Sequence, residues 1–357
     1  MKMDLSKYHT NGLTGIENVG NTCFMNACIQ VLNHTYELHH FLDSKKYSTY
    51  LKENLEESTI ISEWNDLRQI MWSGNGVVTP NKFINAIQKI AKHKNREVFT
   101  GFSQNDMPEF LMFVLDCIHD SISRTANITI SGKAENKKDK LALECYKVIQ
   151  KTYSTEYSEI LDLFYGIMIN EILSVDGKKK HSIKPEFYFI LDLPIIEYLF
   201  DGQQVHCRDL YDCINLYHNA EELVGDNAWY NEKSNKKEDI KKQSSFWNFP
   251  KILVITLKRF SPDGETKMNH CIDFPLDNMD LSKYVCGYNA KSFIYDLYGV
   301  CNHIGGVSGG HYTAIVRNIK GEWIHYNDNI IEKIENPREI INPMAYCLFY
   351  RKKNNLV

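Results

Sequence analysis

Apolar residues in the first third of the chain recur at helical spacing. After Asn21-Thr22, the positions Phe24, Ala27, Cys28, Val31 and Leu32 follow the i, i+3, i+4, i+7, i+8 pattern of one buried face, and predict a helix to about His34. Leu38, Phe41 and Leu42, then Ile61, Trp64, Leu67 and Ile70, keep the same period. Thr79-Pro80 reads as a helix start, with Thr79 as N-cap and Pro80 at the first helical position, ahead of Phe83, Ile84, Ile87 and Ile90. Asp106, three residues before Glu109, is a capping-box pattern in front of the apolar face Met107, Phe110, Leu111, Val114, Leu115 and Ile118. Pro108 falls in that first turn, where its missing N–H is tolerated.

Past a charged stretch at Gly132 to Lys140, expected to be a loop, and one more helical segment, the period shortens toward two. Phe164 to Leu173 and Phe187 to Leu193 read as strands, with a hairpin signal at Asp176-Gly177. Glu232 to Gln243 is a second charge run, expected as a solvated tip. Lys251 to Phe260 reads as a buried central strand, and Ser261-Pro262-Asp263-Gly264 as a turn. Short strands follow at Tyr295 to Cys301, Tyr312 to Arg317, Glu322 to Tyr326 and Cys347 to Arg351. Helices first and strands after is an α+β order, a helical lobe beside a sheet lobe. A cleft between the two is the natural place for a site.

Composition narrows the function classes. The chain has 357 residues, 43% of them hydrophobic, and a formal net charge of -4 with both signs interspersed. Nucleic-acid binders carry a basic footprint, which this chain lacks. The longest apolar runs are too short to span a bilayer, and Met1 to Thr10 contains no apolar signal-peptide core. Ten cysteines without a signal peptide or C-x-x-C spacing point to reduced thiols in a cytoplasmic or nuclear setting, not to a disulfide frame, redox motif or zinc site.

One of those cysteines is placed for chemistry. Cys23 follows the turn formers Asn18, Gly20, Asn21 and Thr22 and opens the first helix, with Asn21 or Thr22 as N-cap. A thiol at the positive end of a helix dipole is expected to have a lowered pKa. Position alone leaves Cys23 as either a buried structural thiol or a nucleophile. A nucleophile needs a base and a group to orient that base. Of 13 histidines, His303 and His311 lie together in CNHIGGVSGGHYTAIV, whose glycines allow a sharply turned or mobile loop. Either could serve as the base. If Tyr312 to Val316 and Glu322 to Tyr326 form a hairpin around Lys320-Gly321, Asn327 or Asp328 returns beside His311 to hold the imidazole.

Taken together, these segments resemble the ubiquitin-specific proteases. GIENVGNTCFMNACIQ is similar to the family's cysteine box, and Gln104-Asn105-Asp106 with Glu109-Phe110 to its glutamine-aspartate box. The run from Phe187 to Ile195, Leu257-Lys258-Arg259-Phe260, His303 to Ala314 and Ala345 to Arg351 match further signatures in the same order, covering roughly Gly12 to Arg351. The resemblance implies a papain-like fold of thumb, palm and fingers: thumb about 12–160, fingers about 164–250, palm about 251–351, after a lead-in at 1–11 and before a tail at 352–357. It implies a cysteine-type deubiquitinase with Cys23 as nucleophile, His311 as base, Asn327 as orienter with Asp328 as its acidic neighbour, and Asn18 at the oxyanion. Gln104, Asp106, Glu109, His303, Gly310 and Tyr312 would meet the substrate. Ubiquitin and its conjugates are the implied partners of a monomer that needs no cofactor. Many members hold a zinc in the fingers through two C-x-x-C pairs; Leu173 to Asp176 and Asn231 to Ser234 lack them, so no zinc is expected. Asn105, Pro108 and Asn329 are further departures from the pattern. A ubiquitin-binding pseudoenzyme, or a protease for another ubiquitin-like modifier, is the alternative.

Overall fold

The structure is a computed structural model. It describes residues 5–44, 46–198, 203–232, 234–261, 263–307 and 309–353; the start of the expected lead-in, most of the tail, Pro262 of the expected turn and Ser308 of the glycine loop lie outside these.

Nine helices are described: α1 (Cys23–Leu32), α2 (Tyr36–Asp43), α3 (Lys46–Tyr50), α4 (Ser58–Ser73), α5 (Asn81–His93), α6 (Met107–Ile122), α7 (Lys137–Glu156), α8 (Glu159–Phe164) and α9 (Leu210–His218). The strands in chain order are β1 (Thr14–Ile16), β2 (Gly76–Val78), β3 (Gly166–Ser174), β4 (Lys180–Tyr188), β5 (Ile190–Leu193), β6 (Ile196–Tyr198), β7 (Gln204–His206), β8 (Glu221–Leu223) and β9 (Trp229–Asn231). They continue with β10 (Lys236–Glu238), β11 (Ile240–Asn248), β12 (Ile252–Leu257), β13 (Met279–Asp280), β14 (Ile294–Gly306), β15 (Gly309–Arg317), β16 (Trp323–Asn327), β17 (Ile330–Ile334) and β18 (Ala345–Lys352).

The large sheet has the order β17-β16-β15-β14-β18-β12-β5, with β13 on β14; only β5 runs parallel to its neighbour. Both faces are covered. Along β18, Cys347 and Phe349 join the core under the helices, whereas Leu348 and Tyr350 join a second core on the other face. Ile252 and Val254 of β12 alternate with Leu253 and Ile255 in the same way. Period-two alternation between two apolar layers is what gives that strand its continuous apolar run. Its place is next to the edge strand β5 rather than central. A separate sheet of order β4-β3-β11-β8 projects from it, with α7 laying Ala142 and Cys145 against Ile167, Ile169 and Trp247.

Helix α1 lies between the other helices and the large sheet, so all ten of its residues are buried, not one face only. It approaches β14 so closely that a Cβ on Gly299 would sit 2.9 Å from Val31 Cγ1.

Several sequence expectations are revised. The charged stretch from Gly132 becomes helix at Lys137, because Asn136 caps α7 by accepting from the Asp139 N–H at 3.0 Å. Glu232 to Gln243 is a tip only in its first part; Ile240 onward is β11, where Lys241 pairs with Glu222. Phe187 to Leu193 is two strands in two sheets, with Phe189 at the switch. Ile70 is 56% exposed, and the buried row of α4 runs through Ile61, Trp64, Leu67 and Met71. Thr79 does not cap α5; its hydroxyl donates to Glu17, and Pro80 precedes the first helical residue. β2, pairing in parallel with β1, has no counterpart in the sequence reading.

Candidate active site

Cys23 opens α1 and is 3% exposed. Thr22 precedes it at the N-cap position without a side-chain cap bond, and Asn21 holds a left-handed φ of 52°. Instead, Asn18 builds the turn: its Oδ1 accepts from the N–H groups of Gly20 and Thr22, both at 3.1 Å. The expected lowering of the thiol pKa does not survive burial. Desolvation raises it, the N–H groups of Tyr312, Phe24 and Cys23 itself oppose that, and the Asp328 charge adds to it. A raised thiol needs a base to take its proton.

The hairpin of β15 and β16 forms around Lys320-Gly321, as the sequence predicts. It brings His311 and Asn327 together, Nε2 to Oδ1 at 2.7 Å. With that oxygen facing the ring, Nε2 carries the proton and Nδ1 keeps the free lone pair. Gly310 and Tyr312, on either side of His311, line one cleft with Cys23, so the thiol and this pair belong to one locus. His303 lies across the β14–β15 ladder, opposite Tyr312. It is 4% exposed among the rings of Phe260, Tyr312 and Tyr346, and burial, helped by the Lys267 charge, pushes it down to about 4. It stays neutral and packed.

Asp328 takes a different place from that expected. It does not extend the His311–Asn327 pair; its Oδ2 accepts from Asn18 Nδ2 at 2.9 Å and its Oδ1 from Asn26 Nδ2 at 2.8 Å. One N–H of the Asn18 amide is therefore committed, and its second remains.

In front of the sulfur is a cleft of about 280 Å³, lined by Cys23, Phe24, Gln104, Asn105, Asp106, Phe260, His303, Gly306, Gly310 and Tyr312 among others. Gln104 accepts from the Gly310 N–H at 2.8 Å, tying the loop before α6 to the glycine hairpin. Gly310 has no room for a Cβ, which would stand 2.3 Å from His303 Nε2 and 2.4 Å from the Ile304 carbonyl. Asp106 caps α6 at the Glu109 N–H and also accepts from the hydroxyls of Tyr346 (2.8 Å) and Tyr312 (3.4 Å). Burial still raises its pKa. The Glu109 side chain is exposed and is not brought to the cleft.

A family model for ubiquitin carboxyl-terminal hydrolases matches residues 14–350. The chain belongs to the ubiquitin carboxyl-terminal hydrolase family. Relatives in that family include Ubiquitin carboxyl-terminal hydrolase Usp2 of Drosophila melanogaster, 32% identical over 96% of this chain and 35% of its own length. Human Ubiquitin carboxyl-terminal hydrolase 2 is 32% identical over 95% of this chain and 55% of its own length. Human Ubiquitin carboxyl-terminal hydrolase 21 is 30% identical over 98% and 64%. The chain thus spans between a third and two thirds of the length of these relatives. Among solved structures, the SAGA DUB module of Ubp8, Sgf11, Sus1 and Sgf73 bound to monoubiquitin contains a chain that superposes with a TM-score of 0.71, at 23% identity, over 99% of this chain and 71% of the other. The module bound to ubiquitin aldehyde gives 0.69 over 97% and 70%, at 23% identity. That likeness carries the fold: the α+β, papain-like arrangement of thumb, palm and fingers.

Two parts of this candidate site went unread in the sequence. Tyr346 carries one of the two hydroxyls on Asp106, and nothing marks it in AYCLFYR except its alternate position in a strand. Asn26 reads as one more polar residue in an apolar helix, and only the fold shows what its amide holds.

Proposed function

We propose that this chain is a cysteine-type deubiquitinase that hydrolyses the peptide or isopeptide bond after the C-terminal glycine of ubiquitin. The observation that carries the reading is the His311–Asn327 pair, fixed at 2.7 Å, beside a cleft that Cys23 lines together with Gly310 and Tyr312, the residues flanking His311. His311 Nδ1 takes the thiol proton as Sγ attacks the carbonyl carbon. The oxyanion is met by the second N–H of Asn18 and by backbone N–H groups at the start of α1; one such donor is worth about 3 kcal/mol in the transition state. The imidazolium returns its proton to the leaving lysine amine, leaving a thioester. His311 then activates water, which releases the ubiquitin carboxylate and the free thiol. Asn327 carries no charge and acts by orientation.

In this reading the helices through α8 are the thumb, the β4-β3-β11-β8 sheet the fingers and the large sheet the palm. Gln104, Asp106, His303, Gly310 and Tyr312 meet the ubiquitin tail, with Glu109 at the rim. The protein works as a monomer, without a cofactor, in a reducing cytoplasmic or nuclear compartment that keeps Cys23 a thiol. A ubiquitin probe with a C-terminal electrophile tests it: a stoichiometric adduct at Cys23, absent in Cys23→Ala, with a diubiquitin panel cleaved by wild type only. Folded wild type that forms no adduct overturns the reading.

A further inference from the structure

Asn26 is 2% exposed and lies one helical turn after Cys23, on the same side of α1. Its amide nitrogen faces three acceptors: Asp328 Oδ1 at 2.8 Å, the Glu17 carbonyl at 3.4 Å and the Ile16 carbonyl at 3.5 Å. A flipped amide would set its own oxygen against all three, so this orientation is the one the site permits. The other end of the amide, Oδ1, is buried with no hydrogen-bond partner. A buried carbonyl oxygen without a donor is destabilising, so the amide's placement calls for an explanation beyond packing.

The explanation lies in what its nitrogen holds. Asp328 has a left-handed φ of 52° and its carbonyl accepts from the Ile16 N–H, so its backbone is pinned to the cysteine loop. Its side chain still has a free χ1. Asn26 on Oδ1 and Asn18 on Oδ2 are the two bonds that fix the carboxylate. The Asn18 amide is exposed, and its oxygen is bound by Gly20 and Thr22. The Thr22 hydroxyl holds the same oxygen at 3.3 Å, and the carboxylate is the partner of the amide nitrogen, the end that faces the reaction.

We infer that Asn26 is a positioning residue for the reaction: it locks the Asp328 carboxylate, which locks the Asn18 amide in the pose that presents its second N–H to the oxyanion. This rests on the deubiquitinase reading, and the test keeps the two apart. With ubiquitin bearing a fluorogenic C-terminal leaving group, Asn26→Ala lowers kcat about 10-fold with KM within 2-fold, a smaller loss than the roughly 100-fold or more expected of removing an oxyanion donor outright, as in Asn18→Ala. In an Asp328→Ala background, adding Asn26→Ala changes kcat less than 2-fold, since the group it holds is gone. A role in packing alone would give additive losses.

Asn26→Asp supplies an independent readout should Asn26→Ala fail to fold. Two carboxylates at this spacing share a proton at low pH and repel once both ionise. The kcat of Asn26→Asp, taken relative to wild type at each pH, therefore rises at least 5-fold from pH 8 to pH 5.5. Active wild type with unchanged kcat in folded Asn26→Ala, additive losses in the Asp328→Ala background, or a flat Asn26→Asp ratio overturns the inference. Wild type that neither turns over nor labels overturns the deubiquitinase reading instead.

Discussion

Along the seam between α1, α2 and the large sheet, polar side chains find their partners far off in sequence. Glu37 takes the Arg351 guanidinium at 2.7 and 3.0 Å, Arg351 also donates to the His34 carbonyl, and Asn26 and Asn18 hold Asp328. The projecting four-stranded sheet is built otherwise. Its core is small, and its charges are solvated pairs between adjoining strands: Lys180 with Glu171, Lys241 with Glu222. In the first region the identity of a side chain decides whether a neighbouring buried charge or amide has a partner. In the second, the alternation of apolar and polar positions is nearly sufficient, because water can replace any partner that is lost. The residues proposed for the reaction lie on α1, in the loops before α1 and α6, and on the large sheet with its connections, and none lies on the projecting sheet.

The largest effect should come from breaking the seam at its buried ion pair. Arg351 is 8% exposed, with its guanidinium also over the rings of Tyr36 and Tyr298. Glu37→Ala leaves that cation desolvated and unpaired, a loss of about 3–5 kcal/mol for a pair of this kind. Urea unfolding measures it directly; a loss under 1 kcal/mol would show that water reaches the guanidinium and that the seam is not dry.

Acid should distinguish the regions next. His34, in the seam, is pushed down to about 4 by burial, against its hydrogen bond to the Gln30 carbonyl and with the help of the Arg351 charge. The unfolded chain titrates the same ring near 6.5. Between these values the unfolded state binds more protons, so the stability is present in full above about pH 6.5 and lost as pH falls toward 4. The loss amounts to about 2 kcal/mol by pH 5 for this one ring. His34→Gln should reduce the drop in urea midpoint between pH 7 and pH 5 by that share. An unchanged drop would mean that His34 is protonated in the folded protein.

How much of this was legible beforehand follows the same line. The helix starts at Cys23 and Asp106, the hairpin at Lys320-Gly321 and the two-faced strand at Ile252 to Leu257 are local patterns, and period and turn chemistry suffice to find them. The hairpin pattern placed Asn327 or Asp328 beside His311, and the family resemblance, not the pattern, singled out His311 with Asn327. The buried amide of Asn26, the change of Asp328 from neighbour of the base to holder of Asn18, and the raised thiol of Cys23 were not legible. Each depends on which groups the fold places across a long loop and on how much water it removes, and neither quantity is local. Backbone N–H groups at the start of α1 do oppose the shift at Cys23, but desolvation by a helix buried on all sides outweighs them.

The smallest effect should lie in the projecting sheet, and it is the sharpest test of the contrast because the chemistry matches that of Glu37 and Arg351. Lys241 of β11 stands in register with Glu222 of β8, Nζ to Oε1 at 3.0 Å, but the two side chains are 33% and 44% exposed. Water already solvates both charges, and holding two long side chains in one rotamer costs entropy, so the Coulomb term is largely cancelled. A double-mutant cycle with Lys241→Ala and Glu222→Ala should give a coupling of at most about 0.5 kcal/mol. It should shrink further in 0.5 M salt, where screening acts over a few ångströms. The same cycle on Glu37 and Arg351 should give several-fold more and respond less to salt, because those side chains are only 6% and 10% exposed.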